Sequence, residues 1–360
     1  MAEEQKGEGS NAQGAPSGER VRTRRKQVPF SLAMIAFAAL VAALSLAALC
    51  LGRFHVDPAT ALAILASPFD GADASWTVNE YNTVMNVRLP RVLAAILVGA
   101  ALGLSGAAYQ GVFRNPLVSP DILGVSHGAC VGAAVAIIAA AAPWQVQVCA
   151  FVGGIAAVAL TTSIPRCMHR RGSVVMVLAG VVVGGFMSSV IGLLKYVADS
   201  DTQLPEIVYW QLGSIAKVDY ETLAYTAPAM FVAGAVVVAM RWRINVLSLG
   251  ENEARSLGID VRLERGVVIV AATVLTACAV SLSGTIGWVG LIVPHVARGI
   301  VGQDNRRLIP ATALAAAAFM LAIDTIARCA TGFEIPLGVL TGLVGAPVFA
   351  FVLSRQKDVD

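Results

Sequence analysis

The sequence predicts an all-α, polytopic membrane protein with about ten transmembrane helices in two inverted five-helix halves. Three observations carry that prediction. Of 360 residues, 57% are hydrophobic and 14% are charged, against roughly 45–50% apolar and about 25% charged in a soluble domain. Apolar runs long enough to cross a bilayer recur along the chain, and the Lys and Arg residues gather in alternate loops between them.

A membrane-crossing helix needs about 20 mostly apolar residues at about 1.5 Å rise each. Residues 1–29 are polar and rich in Gly, Ser and Glu; they cannot bury a core and are expected to form a disordered cytoplasmic tail. The run 30–52 follows a basic stretch, but it is too long for a signal peptide and lacks a small-residue cleavage site, so it reads as an anchored first helix. Further spans fall at 92–112, 122–142, 144–164, 174–195, 222–240, 310–328 and 336–353. The run from Gly266 to Pro294 contains no charged residue and exceeds about 40 Å as a helix, too long for a hydrocarbon core of about 30 Å. Gly284, Gly287, Gly290 and Pro294 fall in its second half, which predicts a break near 284–287 and two helices. Residues 30–354 then form one membrane domain, and 355–360 a short cytoplasmic C-terminal tail.

An even number of spans puts both ends on one side. Arg22, Arg24, Arg25 and Lys26 precede the first span, Arg114 follows the second, and Arg166, His169, Arg170 and Arg171 separate the fourth from the fifth. The same alternate set continues with Arg241, Arg243, Arg255, Arg262 and Arg265, then Arg298, Arg306 and Arg307, then Arg355 and Lys357. The intervening loops are acidic, with Asp57, Asp70, Asp73 and Glu80 in one and Asp199, Asp201, Glu206, Asp219 and Glu221 in another. By the positive-inside rule the basic set, and both termini, are cytoplasmic.

Small residues at helical spacing predict how the spans pack. Gly99 and Gly103, Gly180 and Gly184, and Gly338 and Gly342 each form GxxxG, which lets backbones approach closely in lipid. The second, fifth and tenth spans are therefore expected to be crowded and central. A short echo, LSGAAYQG from Leu104 and LSGTIGWVG from Leu282, hints at the inverted repeat found in many transporters.

Several function classes are excluded by what the sequence lacks. The six cysteines show no C-x-x-C and no histidine at metal spacing, and no G-x-x-x-x-G-K-[ST], H-E-x-x-H or G-x-S-x-G occurs. An enzyme is not expected, and no metal site. The net charge of +3 is spread over short clusters and marks no nucleic-acid stripe. Charges inside spans are few: Lys195, and Asp324 with Arg328 four residues on, a spacing at which the two can pair. An ion-coupled secondary transporter, the alternative of another class, would lack obvious residues for a relay at the bilayer centre.

Four stretches resemble the iron-siderophore, haem and cobalamin (FecCD-type) permease family of ABC importers. They are RLPRVLAAILVGAALGLSGAAYQGVFRNPLVSPDILGVSHGA (88–129), LGENEARSLGI (249–259), GTIGWVGLIVPHVAR (284–298) and EIPLGVLTGLVGAPVF (334–349). The likeness covers about residues 30–354. It implies a dimer of ten-helix subunits, with a second copy or a paralogous permease. It also implies two separate ATP-binding subunits that use ATP and Mg, and an extracytoplasmic binding protein that delivers a metal chelate across the cell membrane of a prokaryote. No cofactor is expected on this chain.

The resemblance also assigns roles. Ser248–Asp260 matches the family's ATPase-coupling helices. There Leu249, Ala254 and Leu257 would form a small apolar face, Gly250 and Gly258 would bend the chain, and Glu251, Glu253 and Arg255 would orient the contact. An amphipathic helix lying on the lipid is the other reading of this stretch. Arg88, Arg91 and Arg328 match positions that receive acidic residues of the binding protein, a use that suits a planar guanidinium; anchoring, and pairing with Asp324, is the alternative. Asn115 and Leu117 in RNPLVSP and Ser173 in RRGSV would form a cytoplasmic gate, with ordinary turns as the alternative.

The topology is checked by labelling. In a background without Cys167, a cysteine at Ser173 is expected to react with a membrane-impermeant thiol reagent only from the cytoplasmic side, and one at Ser200 only from outside. External labelling at position 173 would overturn the assignment.

Overall fold

A computed structural model describes residues 28–70, 76–168 and 173–354. The expected tails, apart from residues 28 and 29, and the loop residues Arg170 and Arg171 lie outside the described residues. All regular structure among these is helical. Helix α1 (Phe30–Cys50) is followed by α2 (Pro58–Asp70) and α3 (Val78–Tyr81), and a π-helical turn Asn82–Arg88 leads without a break into α4 (Leu89–Phe113). A 3₁₀ turn Pro120–Leu123 precedes α5 (Val125–Ile138), then come α6 (Pro143–Cys167), α7 (Ser173–Val197), α8 (Gln203–Leu212) and α9 (Tyr220–Ala239). The chain continues with α10 (Arg241–Leu249), α11 (Glu251–Ser256), α12 (Val261–Ser283), α13 (Val289–Val301), α14 (Asn305–Cys329) and α15 (Leu337–Ser354).

Each of the ten expected spans coincides with a helix, and the break near 284–287 is present, with Gly284 and Trp288 both at positive φ, 67° and 71°. Among the described residues, seven helices are long and apolar enough to cross a membrane. Two of the remaining spans are short: α5 has 14 residues and α13 has 13. Each is the third segment of its half, and each follows an irregular stretch. The helix before it, α4 or α12, is the most enclosed of the long apolar helices in its half, with 78% of its most apolar stretch buried in both. The two halves thus share a pattern of buried second segment and short third segment.

Three expectations change. Span two is longer than 92–112, because the capping box of Thr77 and Glu80 starts a helix at Val78 and the π turn carries it on to Leu89. Helices α2 and α8 were not expected, since both lie between spans and carry polar residues. The fifth and tenth spans are not central within this chain. Helix α7 leaves Val181, Val182, Phe186 and Leu193 about 60% exposed, because its glycines serve one face only.

The close packing centres on α4. A Cβ on Gly99 would lie 2.4 Å from the Ala316 carbonyl oxygen, and one on Gly103 would lie 2.6 Å from Ala316 Cβ, so the first GxxxG is the α4–α14 seam. On another face of α4, a Cβ on Gly106 would lie 1.9 Å from the Gly290 carbonyl oxygen of α13. The LSG echo does not mark equivalent places: Ser105 lies in the middle of α4, whereas Ser283 ends α12. Gly106→Leu is expected to abolish recovery of monodisperse protein in detergent. Gly266→Leu, at a position where a Cβ meets nothing within 4 Å, should be recovered at near wild-type yield; equal yields would show that the α4–α13 crossing tolerates separation.

Candidate functional site

The two ends of the bundle are built differently. At one end lie α10, α11 and the loop 114–119; at the other lie α2, α8 and the loop 330–336.

At the first end, Gly250 (φ 145°) divides α10 from α11, and a Cβ there would lie 2.1 Å from Glu253 Oε2, so the corner requires glycine. Helix α11 is held to α12 by Arg265, whose Nη1 donates to Glu251 Oε1 at 2.8 Å. Arg255 stands 3.8 Å from the same carboxylate. The hydrogen bond from Arg265 holds the Glu251 carboxyl below the usual carboxylate range, and the charges of Arg265, Arg255 and Arg114 add to this. Helix α10 is held to the start of α14, where Asn245 Nδ2 donates to Asp304 Oδ1 at 2.5 Å and the Asn305 N–H donates to Asn245 Oδ1 at 2.7 Å. Asp304 is the N-cap of α14. The short segment is thereby tied to α12 and α14 at once.

The exposed surface of this segment differs from the expected face. Leu249 and Leu257 are 62% and 59% exposed, and Glu253, Arg255 and Gly258 are exposed with them. Ala254 is fully buried in the chain's own core. Its expected contact with a partner is therefore corrected: the methyl seats α11 on the bundle and the two leucines face outward. Gly258 has φ 77° and open space where a Cβ would stand, so it serves the turn into α12.

Beside it, the loop after α4 starts with Arg114 in the left-handed region (φ 53°) and is closed by the Leu117 N–H donating to Asn115 Oδ1 at 2.9 Å. A cavity of about 530 Å³ separates this loop from the first turns of α7. Asn115 and Val118 line it from one side, Val174 and Leu178 from the other. Asn115 thus faces Val174 and Leu178 of α7 across the cavity; the side chain of Ser173 lies outside the described residues. Leu117 does not line the cavity and is 48% exposed.

At the opposite end the three expected docking arginines turn inward. Arg91 Nε donates to Asp324 Oδ1 at 2.9 Å, and its Nη1 donates to Glu334 Oε1 at 2.8 Å. Arg328 stands 3.7 Å from Asp324 and donates to the Ala48 carbonyl. Arg88, 4% exposed, donates to the carbonyls of Leu49, Cys50 and Phe54. The expectation that they receive a partner's carboxylates directly is corrected, because their side chains are buried; Arg91 and Arg328 instead make the internal pairing with Asp324 that was the alternative. They join α1, α4 and α14 at one level. Arg53 and Lys217, which the sequence reading passed over, are exposed at this end. Glu334 was quoted within a motif without a role; its distance of 10 residues from Asp324 in sequence hid their common partner.

The sequence reading also missed the open face of α7. Val181, Val182, Gly185, Phe186, Ser188, Ser189, Gly192 and Leu193 are all exposed, and none is charged. Among the described residues no group of three or more His, Cys, Asp or Glu side chains is arranged to hold a metal ion.

Comparison with known proteins places this geometry. The molybdate import system permease MolB of Haemophilus influenzae is 38% identical over 278 residues, covering 77% of this chain and 82% of that protein. The hemin transport system permease HmuU of Yersinia pestis is 35% identical over 293 residues, covering 79% of this chain and 86% of HmuU. A solved inward-facing ABC transporter assigned to the metal-chelate type superposes with a TM-score of 0.80 at 33% identity, covering 90% of this chain and 99% of that one. The FecCD transport family model matches residues 40–355. The chain belongs to the FecCD transport family and is a multi-pass permease of the ABC importer type.

Proposed function

We propose that this permease carries a ferric siderophore inward, driven by ATP hydrolysed in two separate subunits, with a second permease copy beside it and a binding protein delivering the cargo from outside. The observation that supports coupling to an ATPase is the α10–α11 segment at the basic end of the bundle: α10 is tied to the start of α14 and α11 to α12, and Leu249 and Leu257, which flank α11, face outward. Polar contacts fix its position and the exposed apolar side chains are free to enter a groove on a partner. The permease itself catalyses no bond chemistry. Both termini and α11 are cytoplasmic on this reading, because the basic loops lie at that end.

The uncharged face of α7 supports the cargo assignment. A chelate buries its metal within an organic shell, so it crosses an apolar passage without losing ionic solvation. A bare oxyanion such as molybdate would need donors or cations along the way. Haem and cobalamin share the shielded character of a siderophore, and the binding protein decides among them. An ion-coupled mechanism lacks support: the buried carboxylate Asp324 is already neutralised by Arg91.

The landing surface for the binding protein is assigned to Arg53 and Lys217, with the buried Arg88, Arg91 and Arg328 setting its shape from below.

Leu257→Glu is expected to leave folding intact and reduce cargo-stimulated ATP hydrolysis of the reconstituted complex about tenfold or more, since it places a charge in an apolar contact. Unchanged stimulation would remove α11 from the coupling contact. Arg91→Ala should destabilise the permease by roughly 2–4 kcal/mol, because it removes both hydrogen bonds to the buried Asp324 and leaves it only Arg328 at 3.7 Å, read as a lower melting temperature in detergent. Arg53→Glu with Lys217→Glu should instead slow capture of the binding protein several-fold and leave the melting temperature in place. Titration of the binding protein with ferric siderophore, haem, cobalamin and molybdate then tests the cargo; tight binding of molybdate alone would overturn the chelate assignment.

A further inference from the structure

A second cavity, of about 660 Å³, opens beside the coupling segment, between α6, α7 and α12. Its mouth carries Arg166 of α6, Arg255 of α11, and Arg262 and Arg265 of α12, against one carboxylate, Glu251. Glu251 is taken up by Arg265 and Arg255, so the mouth keeps an excess of positive charge.

Behind the mouth the walls are apolar. On α6 the lining runs from Arg166 back to Ile155, and on α12 from Arg262 on to Thr273. Each stretch holds twelve residues, so its ends are about 16 Å apart at about 1.5 Å rise per residue. One leaflet of a hydrocarbon core of about 30 Å is about 15 Å deep. Just beyond the deep end the helices meet, where a Cβ on Gly154 would stand 3.5 Å from Ala277 Cβ. The cavity is therefore one leaflet deep, closed at the bilayer centre, apolar within and cationic at its mouth.

The geometry points to a binding site for one anionic glycerophospholipid, with its phosphate among Arg166, Arg262 and Arg255 and an acyl chain between α6 and α12. Basic pockets between membrane helices suit acidic headgroups, because each arginine near the surface contributes about a fivefold preference for the anionic lipid. A soluble phosphate would use the arginines and leave the apolar depth empty. Occupancy would bring a lipid into contact with Arg255 on α11, the helix proposed above to meet the ATPase. The site itself does not depend on that proposal; only the naming of the leaflet follows the orientation given there.

The permease, assembled with its ATPase subunits, is reconstituted in phosphatidylcholine vesicles containing a minor fraction of phosphatidylglycerol. Either lipid carries a photoreactive group on its acyl chain. The expected result is labelling of 155–166 and 262–273, stronger from the phosphatidylglycerol probe by well over tenfold. The Arg166→Gln, Arg262→Gln double variant should cut that preference to about fivefold, the share left to Arg255. Gly266→Leu places a side chain where the cavity wall is open, and should lower labelling by both. Should that variant fail to fold, the surface double variant decides alone. Equal labelling of the wild type by both probes would overturn the proposal in favour of ordinary annular lipid. Absence of labelling would overturn it in favour of coverage by a second permease copy or the ATPase. Loss of phosphatidylglycerol labelling on adding inorganic phosphate would overturn it in favour of a soluble anion.

Discussion

Lipid tails are as apolar as the side chains they would replace, so helices in a bilayer gain little by burying apolar surface and associate where their backbones can come close. In this chain that closeness runs along α4. Gly99 and Gly103 meet α14, and Gly106 meets Gly290 of α13, with no room for a Cβ at any of the three. Since α12 also lies against α4, one helix sets the positions of three others. The ends of the bundle inherit their geometry from it. Arg91 reaches Asp324 because α4 and α14 are in contact two turns below, and Asn115 faces the first turns of α7 across a cavity because α4 ends where it does.

Charge is placed with corresponding economy. The Arg91–Asp324 pair is nearly inaccessible, with 9% and 2% of the two side chains exposed. Such a pair gains little net stability, because desolvation offsets most of the Coulomb attraction; its removal on one side alone is what costs. Its value is geometric. It fixes the rotation of α4 relative to α14 and, through Glu334, draws in the loop before α15. At the other end Glu251 does the same for a six-residue helix that could not hold its shape alone.

Much of this was legible in the sequence, since hydropathy and loop charge each depend on the membrane and not on tertiary detail. Ten spans, the break after Ser283 and the close packing of α4 at Gly99 and Gly103 followed from Gly, Pro and apolar periodicity, whereas the identity of α14 as the helix they meet did not. The elements that escaped are those whose residues look the same in two environments. Ala254 is as plausible at a partner interface as in a core, and only the fold shows that it is buried. Arg88 and Arg91 stand just before a predicted span and Arg328 at the end of one, where an arginine can either face a partner or pair inward with Asp324; only the fold shows α1, α4 and α14 closing over them. Helices α2 and α8 carry too few consecutive apolar residues to register as spans, and they owe their form to packing against the outer ends of neighbours. The open face of α7 has the composition of any lipid-facing helix, so nothing in the sequence separates it from the exposed faces of α1, α6 and α9.

The break that produces α13 has an electrostatic side. The helix begins at Val289, beside Leu102 and Gly106 in the middle of α4, and no side chain caps its first turn. The leading amides of a helix carry a partial positive charge of roughly half a unit. This chain therefore holds a positive pole near the bilayer centre without placing a lysine or arginine there. Such a pole cannot be titrated, and no counter-ion needs to travel with it. The field it sets among the packed helices is therefore the same at every pH.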